Sequence, residues 1–134
     1  MPLFDFSKDS RFNVHSIKKR TLRMILEASK SSYPNEFGAF LRAEKGIIHE
    51  LILLPGTVSG QRHASFKLHM LPIDFTIVGT VHSHPSGVCL PSDADLLLFS
   101  KYGWVHIIVC MPYDRSSWAC FEMNGERKEL KVVD

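Results

Sequence analysis

Two histidines one residue apart, His82 and His84, and a carboxylate, Asp95, reached after ten intervening residues, are the side chains of this sequence best suited to chemistry. The histidines close an apolar run, Thr76 to Val81, whose β-branched residues read as a buried strand. Residues i and i+2 of a strand share a face, so both imidazoles leave its end in one direction. Rings so placed can converge on a single ion, at about 2.0–2.1 Å for zinc. Pro85 keeps the strand from running on, and the loop from Gly87 to Pro91 reverses the chain so that Asp95 can return as third donor. Three protein ligands leave one tetrahedral position open, as in catalytic rather than structural zinc sites.

Ser92-Asp93-Ala94-Asp95 precedes an apolar run, Leu96 to Phe99, and supports two readings. It is a capping box, with Ser92 as N-cap and Asp95 in the first helical turn. It is also a way to present a carboxylate where the positive end of the helix dipole favours its ionised, ligating form. The two roles are compatible. A water in the open position would have its pKa lowered toward about 7 and would need a base to take its proton. Glu36 is the only charge in the apolar stretch Tyr33 to Leu41. That stretch reads as a strand buried on both faces, where an unpaired carboxylate is costly, and this singles Glu36 out as the base.

A glutamate before a glycine-containing strand, then His-Ser-His-Pro, then Ser-x-x-Asp, resembles the JAMM (MPN-plus) zinc metalloprotease family, in the manner of its small prokaryotic members. The resemblance runs from the helix before Glu36 to the last strands. It implies zinc ligands His82, His84 and Asp95, one zinc per chain, Glu36 as general base and acid, and Ser92 as a hydroxyl that helps stabilise the tetrahedral intermediate. It also implies a cytidine deaminase-like fold and isopeptidase activity at the C-terminus of a ubiquitin-like modifier, with conjugates of that modifier as substrate. None of the five positions departs from the family pattern. Two other readings stay open: a non-catalytic scaffold of the same fold, against which the intact ligand set argues, and a RadC-like protein suggested by His-Pro-Ser-Gly with Pro-Ser-x-x-Asp.

The elements that must position these residues follow from patterning. A length of 134 residues with 45% hydrophobic and 22% charged residues suits one soluble domain with a sizeable core, spanning 1–134. A helix is expected from His15 or Ser16 to about Ser31, with Ile17, Met24, Ile25 and Ala28 on its apolar stripe and Lys18, Lys19, Arg20 and Arg23 mostly off it. Tyr33-Pro34 ends it. Strands are expected over Glu36–Arg42 and Ile47–Leu54 around a Glu44-Lys45-Gly46 turn, and over Ala64–Met70, where strict alternation leaves one face wet. A helix from Ser92 to about Tyr102 stops at Gly103. Strands over Trp104–Met111, Ser117–Met123 and Arg127–Val133 follow, the last two joined by an Asn124-Gly125 hairpin turn. The class is α/β in mixed order, a curved, largely antiparallel sheet flanked by helices.

The remaining polar residues carry weaker signals. His15, His49, His63, His69 and His106 have no partner at ligand spacing and read as surface or core histidines, with His63 and His69 nearest the motif. Cys89, Cys110 and Cys120 are odd in number and lack metal-type spacing, so they read as free thiols. Ser83 should point away from the metal by strand alternation. A net charge of +2 gives no argument for nucleic acid or an acidic membrane as partner. No run approaches the ~18 apolar residues of a membrane span and the N-terminus lacks a signal-peptide pattern, so the expectation is a cytoplasmic monomer or homodimer. The Ala64–Met70 segment reads as an edge strand to which an extended modifier tail can add.

Overall fold

The computed structural model describes residues 13–53 and 76–134. The expected strand Ala64–Met70, together with His63 and His69, lies outside the described residues.

Eight strands form one mixed sheet around two helices in the described residues: β1 (Ser16–Lys18), α1 (Lys19–Ser32), β2 (Gly38–Glu44), β3 (Ile47–Ile52), β4 (Ile77–His84), α2 (Asp93–Lys101), β5 (Val105–Cys110), β6 (Trp118–Glu122), β7 (Arg127–Lys128) and β8 (Lys131–Val133). The strand order is β7-β6-β5-β4-β2-β3-β1-β8. Four pairings are antiparallel and three parallel. The register of β2 shifts against both its neighbours, and such irregularities bend a sheet and sharpen its twist. Curvature is also imposed covalently. Only Glu129 and Leu130 separate β7 at one edge from β8 at the other, so the two edges approach within roughly 11 Å at the ends of these strands.

The expected final strand Arg127–Val133 is thus divided: its first residues pair with β6 and its last with β1. The expected first helix begins later than its periodicity suggested, because Ser16–Lys18 is drawn into parallel pairing between β3 and β8. Its buried stripe is Thr21, Leu22, Ile25, Leu26 and Ser29. Ile25 keeps its place, whereas Met24 is exposed, Ala28 only half-buried, and Ile17 is buried from β1. No helix among the described residues is long and apolar enough to cross a membrane.

The sheet is covered on both faces, so its central strands read as unbroken apolar runs. Ala39, Leu41 and Ala43 of β2 and Ile107 and Val109 of β5 join the cluster that holds Leu22, Ile25 and Leu26 of α1. The alternate residues face α2: Phe40 packs with Tyr102, and Ile108 with Phe99. Register assigns the motif to that second face, since His82 lies opposite Ile108 and Gly38, and His84 opposite Cys110. Both histidines therefore project toward the start of α2.

Close backbone approach is needed where α2 hands the chain to β5. A Cβ on Gly79 would run into the Val105 carbonyl, and Gly103, at φ +116, lies against the Val78 carbonyl and Gly79 Cα. Trp104 N–H then donates to Val78 O at 2.8 Å and starts the parallel β4–β5 ladder. Gly79→Ala should consequently lower stability by about 3 kcal/mol, the upper end of ordinary overpacking. A urea unfolding midpoint unchanged from the wild type would show that β4 and β5 can separate at no cost.

Candidate metal centre

Strand β4 carries two imidazoles at its C-terminal end and α2 returns a carboxylate to them. His82 Nε2 lies 3.0 Å from Asp95 Oδ1 and His84 Nε2 3.0 Å from Asp95 Oδ2. The two Nε2 atoms are 3.2 Å apart. Donors about 2.0–2.1 Å from a tetrahedral ion stand about 3.3 Å from one another. The observed spacing is close to that edge length, and the donor set, two imidazoles and a carboxylate, is one that zinc accepts.

Two of the three candidate ligands, His84 and Asp95, are oriented by a second contact. His84 Nδ1–H donates to the Val88 carbonyl at 2.9 Å, so the neutral ring turns its Nε2 lone pair toward the site, while the charged ring donates from Nε2 to Asp95 Oδ2. His82 is almost fully buried, and its Nδ1 has no hydrogen-bond partner among the described residues. Asp95 closes the expected capping box: Ser92 N–H donates to Asp95 Oδ2 at 2.9 Å, and Asp95 N–H donates to Ser92 Oγ at 3.1 Å. Burial works to raise the Asp95 pKa. The hydrogen bonds from His82 and His84, the His82 charge and the Ser92 N–H outweigh it and hold the carboxyl well below its usual range. His84 shifts the other way, its pKa raised by the Asp95 hydrogen bond against the opposing effect of burial.

Glu36 reaches the site from a different part of the chain. Its carboxylate joins the imidazole nitrogens of His82 and His84 in a group whose donor atoms all lie within 4.8 Å of one another. The expected setting is corrected: Glu36 is half-buried and lies two residues before β2, whose pairing with β4 begins at Gly38. Ser83 holds it there. Phe37 N–H donates to Ser83 Oγ at 2.8 Å, and Ser83 N–H donates to Phe37 O at 2.9 Å. Ser83 does point away from the two histidines, and its buried hydroxyl anchors the segment that leads from Glu36 into β2.

Sequence reasoning missed the layer beneath. His106, read only as a surface or core histidine, is fully buried in β5 and stacked on Phe99 of α2 at 4.4 Å between centroids. The Phe99 ring in turn lies 6.4 Å from that of His82. With Gly103 O 3.1 Å from Nε2 and Thr80 Oγ1 2.7 Å from Nδ1, the fitting tautomer donates from Nε2 and accepts at Nδ1. His106 so ties the C-terminal end of α2 to β4 and β5. Burial lowers its pKa to about 4. Alternation had placed a histidine at this inward position between Val105 and Ile107, and that was the available signal. His15 is exposed and His49 half-buried, and neither joins the site.

The thiol expectation is overturned for two of three cysteines. Cys89 and Cys110 form a disulfide, because the loop after His84 folds back over the end of β5, where Cys110 lies opposite His84 in register. Cys120 is a buried free thiol, its pKa pushed up to about 12 by desolvation.

Fold and site together define an α/β protein in which two strand-end imidazoles and a carboxylate from a helix N-terminus form a candidate metal centre. Residues 18–121 match the family of prokaryotic homologues of the JAB domain, and the chain belongs to it. It is 39% identical over 131 residues to a probable metalloprotease of Haloferax volcanii, covering 90% of this chain and 81% of that one. A solved JAB1/MPN domain protein from Archaeoglobus fulgidus is 46% identical with a TM-score of 0.73, over 89% of this chain and 99% of that one. A structure described as JAMM, a metalloprotease-like zinc site in the proteasome and signalosome, is 43% identical at the same TM-score, over 90% and 99% of the two chains.

Two outcomes are expected. Purified protein should carry about one zinc per chain, and His82→Ala with His84→Ala should abolish it. Zinc retained at wild-type occupancy in metal analysis of that variant would move the site elsewhere. The second outcome follows from His106. Its folded pKa of about 4 lies below the ordinary imidazole value of 6.5, so the unfolded chain binds the extra proton between these values. The stability it contributes is complete above about pH 6.5 and is lost as pH falls toward 4, a change of about 3 kcal/mol. His106→Gln should flatten this slope relative to wild type in zinc-free protein, and parallel stability–pH curves would exclude His106 as its source.

Proposed function

We propose that this protein is a zinc-dependent peptidase, and specifically an isopeptidase that cleaves the bond at the C-terminus of a ubiquitin-like modifier. The observation that carries the peptidase reading is the convergence of His82, His84, Asp95 and Glu36 from three parts of the chain on one small volume. Membership of the family of prokaryotic JAB homologues and 39% identity to a probable metalloprotease support it. A non-catalytic scaffold has no need of this set, and nothing in its geometry favours that reading.

In this mechanism His82, His84 and Asp95 would hold the metal, with the Glu36 carboxylate close to the two imidazoles. Zinc held there would supply a Lewis acid that polarises the scissile carbonyl and lowers the pKa of an attacking water. Glu36 takes a proton from that water and returns it to the leaving amine, acting as base and then as acid. Ser92 acts through its hydroxyl. Its oxygen accepts from Asp95 N–H, which leaves the O–H proton to donate to the carbonyl oxygen as charge develops there. The capping box thereby sets both the third ligand and the hydroxyl from one helical turn.

The modifier assignment rests on the family resemblance and on the site's surroundings. Val88 and Leu90 of the loop and Leu97 of α2 are more than half exposed next to the donors. Such an apolar rim suits a protein substrate presenting an extended tail. Glycine is the expected residue at the tail's last position, because a backbone without a side chain can approach the donors most closely.

Glu36→Gln should keep fold and zinc while lowering turnover about 10²–10⁴-fold on a modifier joined through a Gly-Gly tail to a reporter. Near wild-type turnover would place the base elsewhere. Ser92→Asp separates capping from catalysis, because aspartate caps as well as serine but, ionised, donates no hydrogen bond. It should fold normally with turnover reduced about 10²–10³-fold; full activity would leave Ser92 as a cap alone. Equal cleavage of tails ending in glycine or valine would replace the isopeptidase by a broad peptidase.

A further inference from the structure

Of the three metal donors, His84 has the least secure support from its own strand. It is the last residue of β4, half-buried, and the chain beyond it runs through exposed Pro85, Ser86 and Gly87. Its tautomer nevertheless depends on the Val88 carbonyl, which must return to within 2.9 Å of Nδ1. Packing cannot aim that carbonyl, since the Val88 side chain is 54% exposed. The nearest hydrogen bond, Val88 N–H to Ser86 Oγ, is long at 3.3 Å and stays within the loop itself.

The next residue supplies the constraint. Cys89 is bonded to Cys110, the register partner of His84 across the β4–β5 ladder. The loop is thereby fixed covalently to the strand beside the ligand it must orient. Two further ties come from the same turn: Met111 N–H donates to Ser86 O at 2.9 Å, and Tyr113 O–H donates to His84 O at 3.0 Å. Segment 110–113 therefore grips the loop at Cys89, Ser86 and His84, and only the grip at Cys89 is adjacent to the carbonyl that orients the ring.

We propose that the Cys89–Cys110 disulfide is a positioning element for His84, and that through it the thiol redox state of the surroundings sets zinc affinity. The inference rests on the peptidase reading only in taking His84 as a zinc ligand. A dithiol reductant supplies two electrons and two protons: the Cys89–Cys110 bond breaks, two S–H bonds form, and the reductant closes its own disulfide. The loop then keeps its hydrogen bonds to the 110–113 turn but loses the tie next to Val88, and the His84 ring gains access to its other tautomer. Loss of a partner that orients a metal-bound histidine weakens binding typically 10–100-fold. Cys120 is buried on the α1 face and takes no part.

The test measures zinc dissociation constants by competition with a chromophoric chelator for four samples. These are oxidised wild type, wild type reduced with a water-soluble phosphine, the Cys89→Ser/Cys110→Ser double variant, and Cys120→Ser as control. Reduced wild type and the double variant should bind zinc about tenfold or more weakly than oxidised wild type, with the control unchanged. In zinc-free protein the imidazole 15N shifts of His84 should move from the Nδ1–H tautomer toward a mixture in the same two samples. If the double variant does not fold, as judged by circular dichroism, the reduced wild type answers the question by itself. Affinities within twofold of oxidised wild type, accompanied by a lower melting temperature, would overturn the proposal and leave the disulfide as a staple of the fold. Tighter zinc binding on reduction would overturn it too, by making a thiolate the ligand. Absence of zinc binding in oxidised wild type would overturn the peptidase reading itself, a result distinct from an affinity that ignores the disulfide.

Discussion

The structure depends on one meeting, that of the N-terminus of α2 with the C-terminal end of β4. A parallel β4–β5 pair requires a crossover, and α2 is that crossover, so its first turn must lie near the end of the strand it leaves. The histidines stand at that end because only there can side chains on a covered face reach open space. Asp95 stands in the first turn because a capping carboxylate is held there by Ser92 N–H and favoured by the helix dipole. Metal site and local fold are therefore one arrangement. The constraint extends downward through Phe99, whose ring is wedged between His82 and His106 and fixes the roll of α2 on the sheet.

A second dependency joins the first at right angles to it. Glu36 comes from the opposite side of β4, and its position is set by the reciprocal bonds between Ser83 and the Phe37 backbone. The strand that carries the two imidazoles in its even positions thus carries the anchor for the Glu36 segment in an odd one. His-Ser-His works as a unit because period-two alternation separates these tasks onto two faces.

That separation explains what the sequence disclosed. That His82, His84, Asp95 and Glu36 come together, with Ser92 capping beside them, was readable because each lies in a local pattern with a geometric meaning: i, i+2 on a strand, a capping box, and a lone charge among apolar residues. The α/β class, the capped α2 and the curvature of the sheet were readable for the same reason, whereas a largely antiparallel sheet was expected and three of its seven pairings are parallel. The division of the last strand was not, because Arg127–Val133 has one continuous pattern and only long-range pairing decides that its two ends serve opposite edges. The strand Ser16–Lys18 was hidden similarly, its residues continuing the helical period until β3 and β8 claim them. The Cys89–Cys110 bond was unreadable from spacing alone, since a pairing 21 residues apart becomes evident only once parallel register puts Cys110 beside His84. The half-exposed setting of Glu36 came from the same limit: composition made the segment apolar, while the turn at Pro34–Asn35 delayed the start of pairing.

Whether His82, His84 and Asp95 form an open zinc site is decided by X-ray absorption at the zinc edge of the purified, oxidised protein. A four-coordinate first shell of nitrogen and oxygen donors at about 2.0–2.1 Å is expected, with the outer-shell scattering of two imidazoles. A sulfur donor at about 2.3 Å, or a shell without imidazole scattering, would contradict it.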